Sequence, residues 1–234
     1  MKKHIRIVPG KVWLNGTAGF ESASNGDVRA FLTEVYQWLG VDCRRFFRMD
    51  LLSKLGWLAS EWLMAEFDPE QPREDTGIVF FNSCSSLDAD RHFQETIRNP
   101  EACFPSPAEF VYTLPNIVAG EVAIRHRIHG ETAFYILSRP DFRRMTAILY
   151  DTLVSTGLNY LLAGWLEACG DTLDARVMLL CSGENGECRM ENGEWSDAKV
   201  FQLRCAAALA PLLGGEGGRR TDKAREQNAR ADYQ

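Results

Sequence analysis

The sequence has no apolar run approaching the roughly 18 residues that a membrane-spanning helix needs. It has no Cys-x-x-Cys pair, no His-Glu-x-x-His motif and only 4 histidines, so it offers no zinc site of ordinary spacing. It lacks a basic excess: 26 Lys and Arg stand against 32 Asp and Glu, for a net charge of −6 and a pI near 5.3. That balance argues against a broad nucleic-acid footprint. The N-terminus, Met-Lys-Lys-His-Ile-Arg-Ile-Val-Pro, carries two lysines with no apolar stretch of signal-peptide length behind them. The 7 cysteines are odd in number and irregularly spaced, in a chain large enough not to need disulfides. They read as free thiols in a reducing cytoplasm. None falls between Cys103 and Cys169.

What is present is an ordinary globular composition, 45% apolar and 25% charged, over 234 residues. That is enough for one substantial core. Ile5–Val8 and Lys11–Leu14 read as strands before the turn signal Asn15-Gly16. Val28, Phe31, Leu32, Val35 and Leu39 have helical periodicity, with Gly40 as a stop. A second helix is expected over about 49–67, apolar on more than one side. Thr76–Asn82 reads as a fully buried strand, followed by a Ser-Cys-Ser-Ser loop and a short helix over 89–98.

Residues 99–107 read as loop, and 116–128 as a helix facing the core through Ile117, Gly120, Ile124 and Ile128, with Glu121 as its polar exception. Ala133–Leu137 alternates like a strand, and Phe142, Met145, Leu149 and Leu153 mark the next helix. Tyr160–Glu167 and Arg176–Cys181 are further strand candidates. Turn signals at Gly183–Glu187 and Asn192-Gly193, a helix through Ala198, Phe201, Cys205 and Leu209, and a disordered tail over 215–234 complete the reading. Alternating strands and helices predict an α/β sheet with parallel pairs and covered faces.

The segment Ser106-Pro-Ala-Glu-Phe-Val-Tyr-Thr-Leu-Pro-Asn-Ile-Val-Ala-Gly120 resembles the Pro-x-x-Phe-x-x-Thr-x-x-Asn-x-x-x-Gly signature of β-ketoacyl synthases, the condensing enzymes of fatty-acid and polyketide assembly. Arg48–Ala59, Asp75–Leu87 and Tyr160–Ala168 resemble other segments of that family, so the likeness runs from about 48 to 181. It implies a thiolase-like N-terminal half over 1–214, with a mixed, mostly parallel sheet covered by helices on both faces. It further implies that the second half, which carries the family's catalytic histidines and lysine, has no counterpart here. His126 and His129 do not match those motifs. In the register set by Asn116, Gly130 and Gly164, the resemblance puts Arg139 where the nucleophilic cysteine belongs. A guanidinium stays protonated and cannot attack a thioester.

The resemblance therefore implies a non-catalytic relative of a fatty-acid, aryl-polyene or polyketide-type pathway, with no cofactor and no catalytic triad. Its partners would be a condensing enzyme or acyl carrier protein, as a homodimer or heterodimer. Thr113, Asn116, Ala133, Phe134, Tyr135, Ile136, Leu137 and Arg139 would border the interface or pocket, since Ala133–Leu137 corresponds to the strand that pairs across the family's dimer axis. The alternative is a small acyltransferase or thioesterase with Ser138 or Cys84 as nucleophile. Against it, Ser138 reads as a helix cap closing a capping box with Asp141, and Cys84 as a packed thiol. Pro140 reads as a first-turn helical residue. Arg125, His126, Arg127 and His129 read as a solvated helix end, which Arg143 and Arg144 could extend.

Overall fold

The computed structural model describes residues 3–22, 26–99, 101 and 103–182. The expected turns after Gly183, the helix around Phe201 and the tail lie outside them, as do Cys188, Trp195 and Cys205. Seven strands form one sheet: β1 (Lys3–Val8), β2 (Lys11–Leu14), β3 (Thr17–Glu21), β4 (Thr76–Asn82), β5 (Thr132–Ile136), β6 (Tyr160–Cys169) and β7 (Thr172–Cys181). Their order is β3-β2-β1-β7-β6-β4-β5. Six α-helices lie between them: α1 (Val28–Leu39), α2 (Leu51–Met64), α3 (Leu87–Ile97), α4 (Pro107–Val111), α5 (Ile117–His126) and α6 (Phe142–Thr156).

The sheet is mixed and helices cover both faces, as expected. The balance of directions is not: only the β4–β5 and β4–β6 pairs are parallel. The β1–β2, β2–β3, β1–β7 and β6–β7 pairs are antiparallel. Two features that pattern reading overlooked account for this. Thr17–Glu21 extends the first hairpin into a third strand. Gly170, at φ +57°, turns β6 directly back into β7. Two residues joining long strands make a hairpin, whereas a parallel crossover needs a dozen or more.

The core has two layers. On one face Ile5, Ile7, Ile78, Phe80, Leu162 and Val177 pack against α1, α2 and α5. On the other, Val79, Phe81, Leu161, Ala163 and Met178 pack against Met145, Leu149 and Leu153 of α6. The central element is α2, with 12 of its 14 residues buried. Its amino end is closed by Asp50, whose carboxylate accepts from the Ser53 and Leu52 amides at 3.0 and 3.3 Å. Gly56 lets α5 approach closely, because a Cβ there would sit 2.4 Å from a Val118 methyl.

The register of α5 corrects the expected face. Val118, Ala119, Glu121, Val122 and His126 point inward, while Ile124 is 62% exposed. Of the expected stripe, Ile128 is buried just past the helix end, Ile117 and Gly120 are half-buried, and Ile124 faces out. The polar residues inward are paired. Glu121 accepts from Tyr112 Oη at 3.2 Å and meets Arg45 at 2.9 Å. Glu61 on α2 accepts from Arg125 through two guanidinium nitrogens at 2.6 and 2.9 Å. Arg127 pairs with Glu70 at 2.6 Å, and His126 is buried. The basic run from Arg125 to Arg127 is thus a set of tertiary links, not a solvated helix end.

His126 Nε2 lies 3.0 Å from Ser60 Oγ, which donates its own proton to the Trp57 carbonyl at 2.8 Å. The imidazole therefore donates Nε2–H to Ser60, while the Glu61 carboxylate, 3.4 Å from the same nitrogen, is engaged by Arg125. Burial, with Arg125 and Arg73 adding repulsion, holds its pKa down to about 3 from an ordinary 6.5. A depressed folded pKa means the unfolded chain binds the proton first as pH falls. Stability should fall from about pH 6.5 towards pH 3, by at most about 1.4 kcal/mol per unit from this residue. Urea melts at pH 7.5, 6 and 5 should show this slope, flattened in His126→Gln. An equal slope in the variant would discard the assignment.

Candidate functional site

The reactive elbow expected from the resemblance is the link between β5 and α6. Strand β5 lies at the sheet edge. Parallel pairing with β4 turns alternate backbone groups towards it: Ile78 N–H donates to the Glu131 carbonyl and Leu137 N–H to the Asn82 carbonyl, both at 2.8 Å. The alternation leaves the N–H and C=O groups of Thr132, Phe134 and Ile136 pointing away from β4. Among the described residues no strand takes them up. Side chains divide by face as well. Phe134 packs on the α5 side, Ala133 and Leu137 on the α6 side, and Tyr135 stacks on Phe81 at 5.5 Å between ring centroids. Ile136 is 53% exposed.

Beyond Leu137 the chain bends through Ser138 and Arg139, both exposed, and enters α6 after Pro140. The helix cap is Asp141, whose carboxylate accepts from the Arg144 amide at 3.1 Å. Ser138 is not the cap, and Pro140 precedes the helix and does not occupy its first turn. Asp141 wins because a carboxylate both accepts the amide and opposes the positive helix end. Arg139 is left in solvent, and among the described residues no imidazole is bonded to the neighbouring Ser138 hydroxyl. Among the described residues, the one hydroxyl–imidazole pair is Ser60–His126. Ser60 is fully buried and its proton is already given to the backbone.

The second expected candidate, Cys84, lies in the loop after β4. Glu167 on β6 organises this loop. Its carboxylate accepts from Ser83 N at 3.0 Å, Ser83 Oγ at 2.8 Å and Cys84 N at 3.0 Å. Asn82 closes the turn by accepting from Ser85 N and donating to Ser85 O, at 3.0 and 2.8 Å, with Ser85 in the left-handed region at φ +53°. The cost of that charge falls on the thiol. Burial pushes the Cys84 pKa up, and the Glu167 carboxylate pushes it further. The sulfur points at the Ala168 carbonyl, 3.6 Å away. Such a thiol is a packed donor and a poor nucleophile.

Thr113 and Asn116 sit between α4 and α5. Thr113 Oγ1 donates to the Phe110 carbonyl at 2.7 Å, and its own carbonyl accepts from buried Ser86 at 2.5 Å. Asn116 stands at the start of α5 without a side-chain cap bond and is exposed. Before them lies α4, which starts where the expected loop over 99–107 ends and is capped by Ser106 Oγ accepting from Glu109 N at 3.3 Å. Phe110, Val111 and Leu114 stay exposed there, as do Ile124 and Ile136. Sequence reading placed Ile124 inside, because periodicity finds an apolar stripe but not which side a partner occupies.

These contacts fix an expected order of thiol reactivity. Iodoacetamide at pH 8 should modify exposed Cys103 well before Cys84, read by peptide mass mapping. Glu167→Gln should speed Cys84 alkylation by removing the neighbouring charge. Labelling of Cys84 ahead of Cys103 in the native protein would contradict the protonated thiol.

No family model matches the sequence, and no curated protein matches it significantly. Solved structures do. One is the ketosynthase ApeO in complex with its chain length factor ApeC from Xenorhabdus doucetiae. It has a TM-score of 0.47 at 14% identity, over 78% of this chain and 80% of that one. Another is the ishigamide ketosynthase/chain length factor, with a TM-score of 0.54 at 15% identity, over 91% of this chain and 81% of that one. At such identity the likeness speaks to architecture alone. With its mixed seven-stranded sheet and helices on both faces, the chain has a ketosynthase-like α/β fold, similar to that of the ishigamide ketosynthase/chain length factor.

Proposed function

We propose that this protein is a non-catalytic, ketosynthase-like accessory subunit of a fatty-acid, aryl-polyene or polyketide-type pathway, which pairs through β5 with a condensing enzyme. The observation that carries the reading is the β5 edge. Three residues present free backbone donors and acceptors along it, and exposed Ile136 extends its apolar surface. An open edge of this kind is a template for another strand unless it is covered. The outer side of α5 supplies a second element. Ile117 and Ile124 flank Gly120, over which there is open space. Small residues between apolar ones allow a helix to approach closely.

The chemistry at the elbow agrees with an accessory role. The resemblance puts Arg139 at the nucleophile position, Ser138 has no base bonded to it among the described residues, and Cys84 is held as a thiol. An acyltransferase or thioesterase reading would need an activated nucleophile with a base in hydrogen-bond reach and an oxyanion site. A cytoplasmic location fits the cysteines, which are free thiols among the described residues. The fold comparison supplies context. The ishigamide protein joins a ketosynthase with a chain length factor, and a heterodimer is the arrangement proposed for this chain.

The test is co-expression with a condensing enzyme encoded beside this chain, followed by size exclusion with light scattering. A stable 1:1 complex is expected. Ile136→Pro removes an outward-pointing donor while leaving the β5–β4 bonds intact, so it should abolish the complex and preserve the melting transition. A homodimer that excludes the enzyme, or a complex indifferent to Ile136→Pro, would refute pairing through β5. Intact mass after incubation with an acyl thioester should show no covalent adduct. An adduct abolished by Ser138→Ala or Cys84→Ala would establish the enzyme reading instead.

A further inference from the structure

Two thiols meet at the carboxyl end of β6. Cys169 is the last residue of that strand, ahead of the Gly170 turn, and Cys84 lies in the loop that follows β4. Separate tethers hold them there. Glu167 accepts from the Ser83 and Cys84 amides and draws the loop onto β6. Asp88 on α3 accepts from Gly170 N at 3.1 Å and fixes the turn against that helix. The Cys84 sulfur rests 3.6 Å from the Ala168 carbonyl oxygen. One peptide unit separates that oxygen from the Cys169 Cα, so the Cys84 sulfur lies within about 6.5 Å of that Cα. The thiols also sense each other electrostatically, since Cys169 is among the groups that push the Cys84 pKa up.

Their surroundings differ in sign. Beside Cys84 stands the Glu167 carboxylate, which together with burial keeps it a thiol. Beside Cys169 stands a cation: a guanidinium nitrogen of Arg91, on α3, lies 3.7 Å from the sulfur. Cys169 is half-buried, open to a molecule as small as a hydroperoxide. A cation at a sulfur stabilises the negative charge that the sulfur carries as it attacks an oxidant. Cys103 is more exposed, but among the described residues it has no hydrogen bond to a cationic group. Exposure and reactivity towards peroxide therefore rank Cys103 and Cys169 in opposite orders.

We propose that Cys169, beside Arg91, is a site of reversible oxidation by hydroperoxides, and that Cys84 is the thiol that resolves it into a disulfide. In the first step the Cys169 sulfur attacks the peroxide and breaks its O–O bond. The sulfur is oxidised to a sulfenic acid, and the other oxygen takes up the thiol proton and departs as water or an alcohol. In the second step the Cys84 sulfur displaces the sulfenic hydroxyl. An S–S bond forms, and the Cys84 proton leaves with that hydroxyl as water. A protonated thiol attacks slowly, so the second step is the slower one. Transient disulfides of this kind serve redox sensing in reducing compartments. Bonding to Cys169 takes Cys84 off the Ala168 carbonyl and shifts the loop that Glu167 holds. The inference is independent of the accessory-subunit reading.

The test is brief treatment of the reduced full-length protein with hydrogen peroxide at neutral pH, followed by an iodoacetamide quench and peptide mass mapping. A peptide linking Cys84 to Cys169, lost on adding dithiothreitol, is expected. In Cys84→Ser, where the sulfenic acid has no partner, dimedone should trap Cys169. In Cys169→Ser, dimedone should leave Cys84 unmodified. Arg91→Leu should slow loss of the Cys169 thiol about tenfold, and Arg91→Lys, which keeps a cation, should restore most of the rate. Arg91 is exposed, so both variants should melt at the wild-type temperature. Absence of the linked peptide, a bond from Cys169 to another cysteine, or Cys103 oxidised ahead of Cys169 would each overturn the proposal. Oxidation of Arg91→Leu at the wild-type rate would overturn it as well.

Discussion

The burial of α2 is the constraint on which the rest of the molecule depends. A helix hidden on nearly every side must be satisfied within the protein at its amino end and along its length. Asp50 closes that end, and burial pushes its pKa up even as the capping amides oppose the shift. Along the length, Gly56 admits α5, Ser60 and His126 satisfy each other, and Glu61 is neutralised by Arg125. These links fix the rotation of α5. With Val118, Val122 and His126 drawn inward, Ile124 is turned outward.

That rotation connects the core to the proposed surface. The face of α5 committed to α2 cannot also be offered to a partner, so the remaining stripe around Gly120 is the part left for association. The β5 edge follows from the same economy. Its inward groups are consumed by β4, and its outward groups have no described strand to meet. At the other side of the sheet, β3 is exposed and bulged against β2 between Val12 and Trp13, a form that discourages pairing. The two edges of one sheet therefore differ physically: among the described residues, only β5 is an edge strand in parallel register with an apolar flank.

Glu167 and Arg139 place charge at the two loops that follow β4 and β5. The Glu167 carboxylate is spent on holding the β4–α3 loop, and in doing so it raises the pKa of Cys84. At the elbow, the cap has moved to Asp141, leaving Arg139 outside the helix and in water. Neither residue is arranged to activate a nucleophile. Both are arranged to fix backbone or to present charge.

The strands β4 and β5 and the helices α1, α2 and α6 were legible in the sequence, because period, caps and glycine stops are local properties. Val28 to Leu39 with Gly40 beyond, or Thr76 to Asn82 as an unbroken apolar run, needed no tertiary knowledge. The arginine at 139 was also legible, as was the Ala133–Leu137 strand beside it. Strand direction was not: the Gly170 turn that makes β6 and β7 antiparallel is a single residue's conformation. Nor was the inward side of α5, the cap at Asp141, or the contact of Glu167 with a loop 83–84 positions away in sequence. Each of these is decided by which groups lie close in space. Periodicity records that a helix has an apolar stripe, but only packing, with Gly56 against Val118 and Glu61 against Arg125, decides whether that stripe faces the core or the solvent.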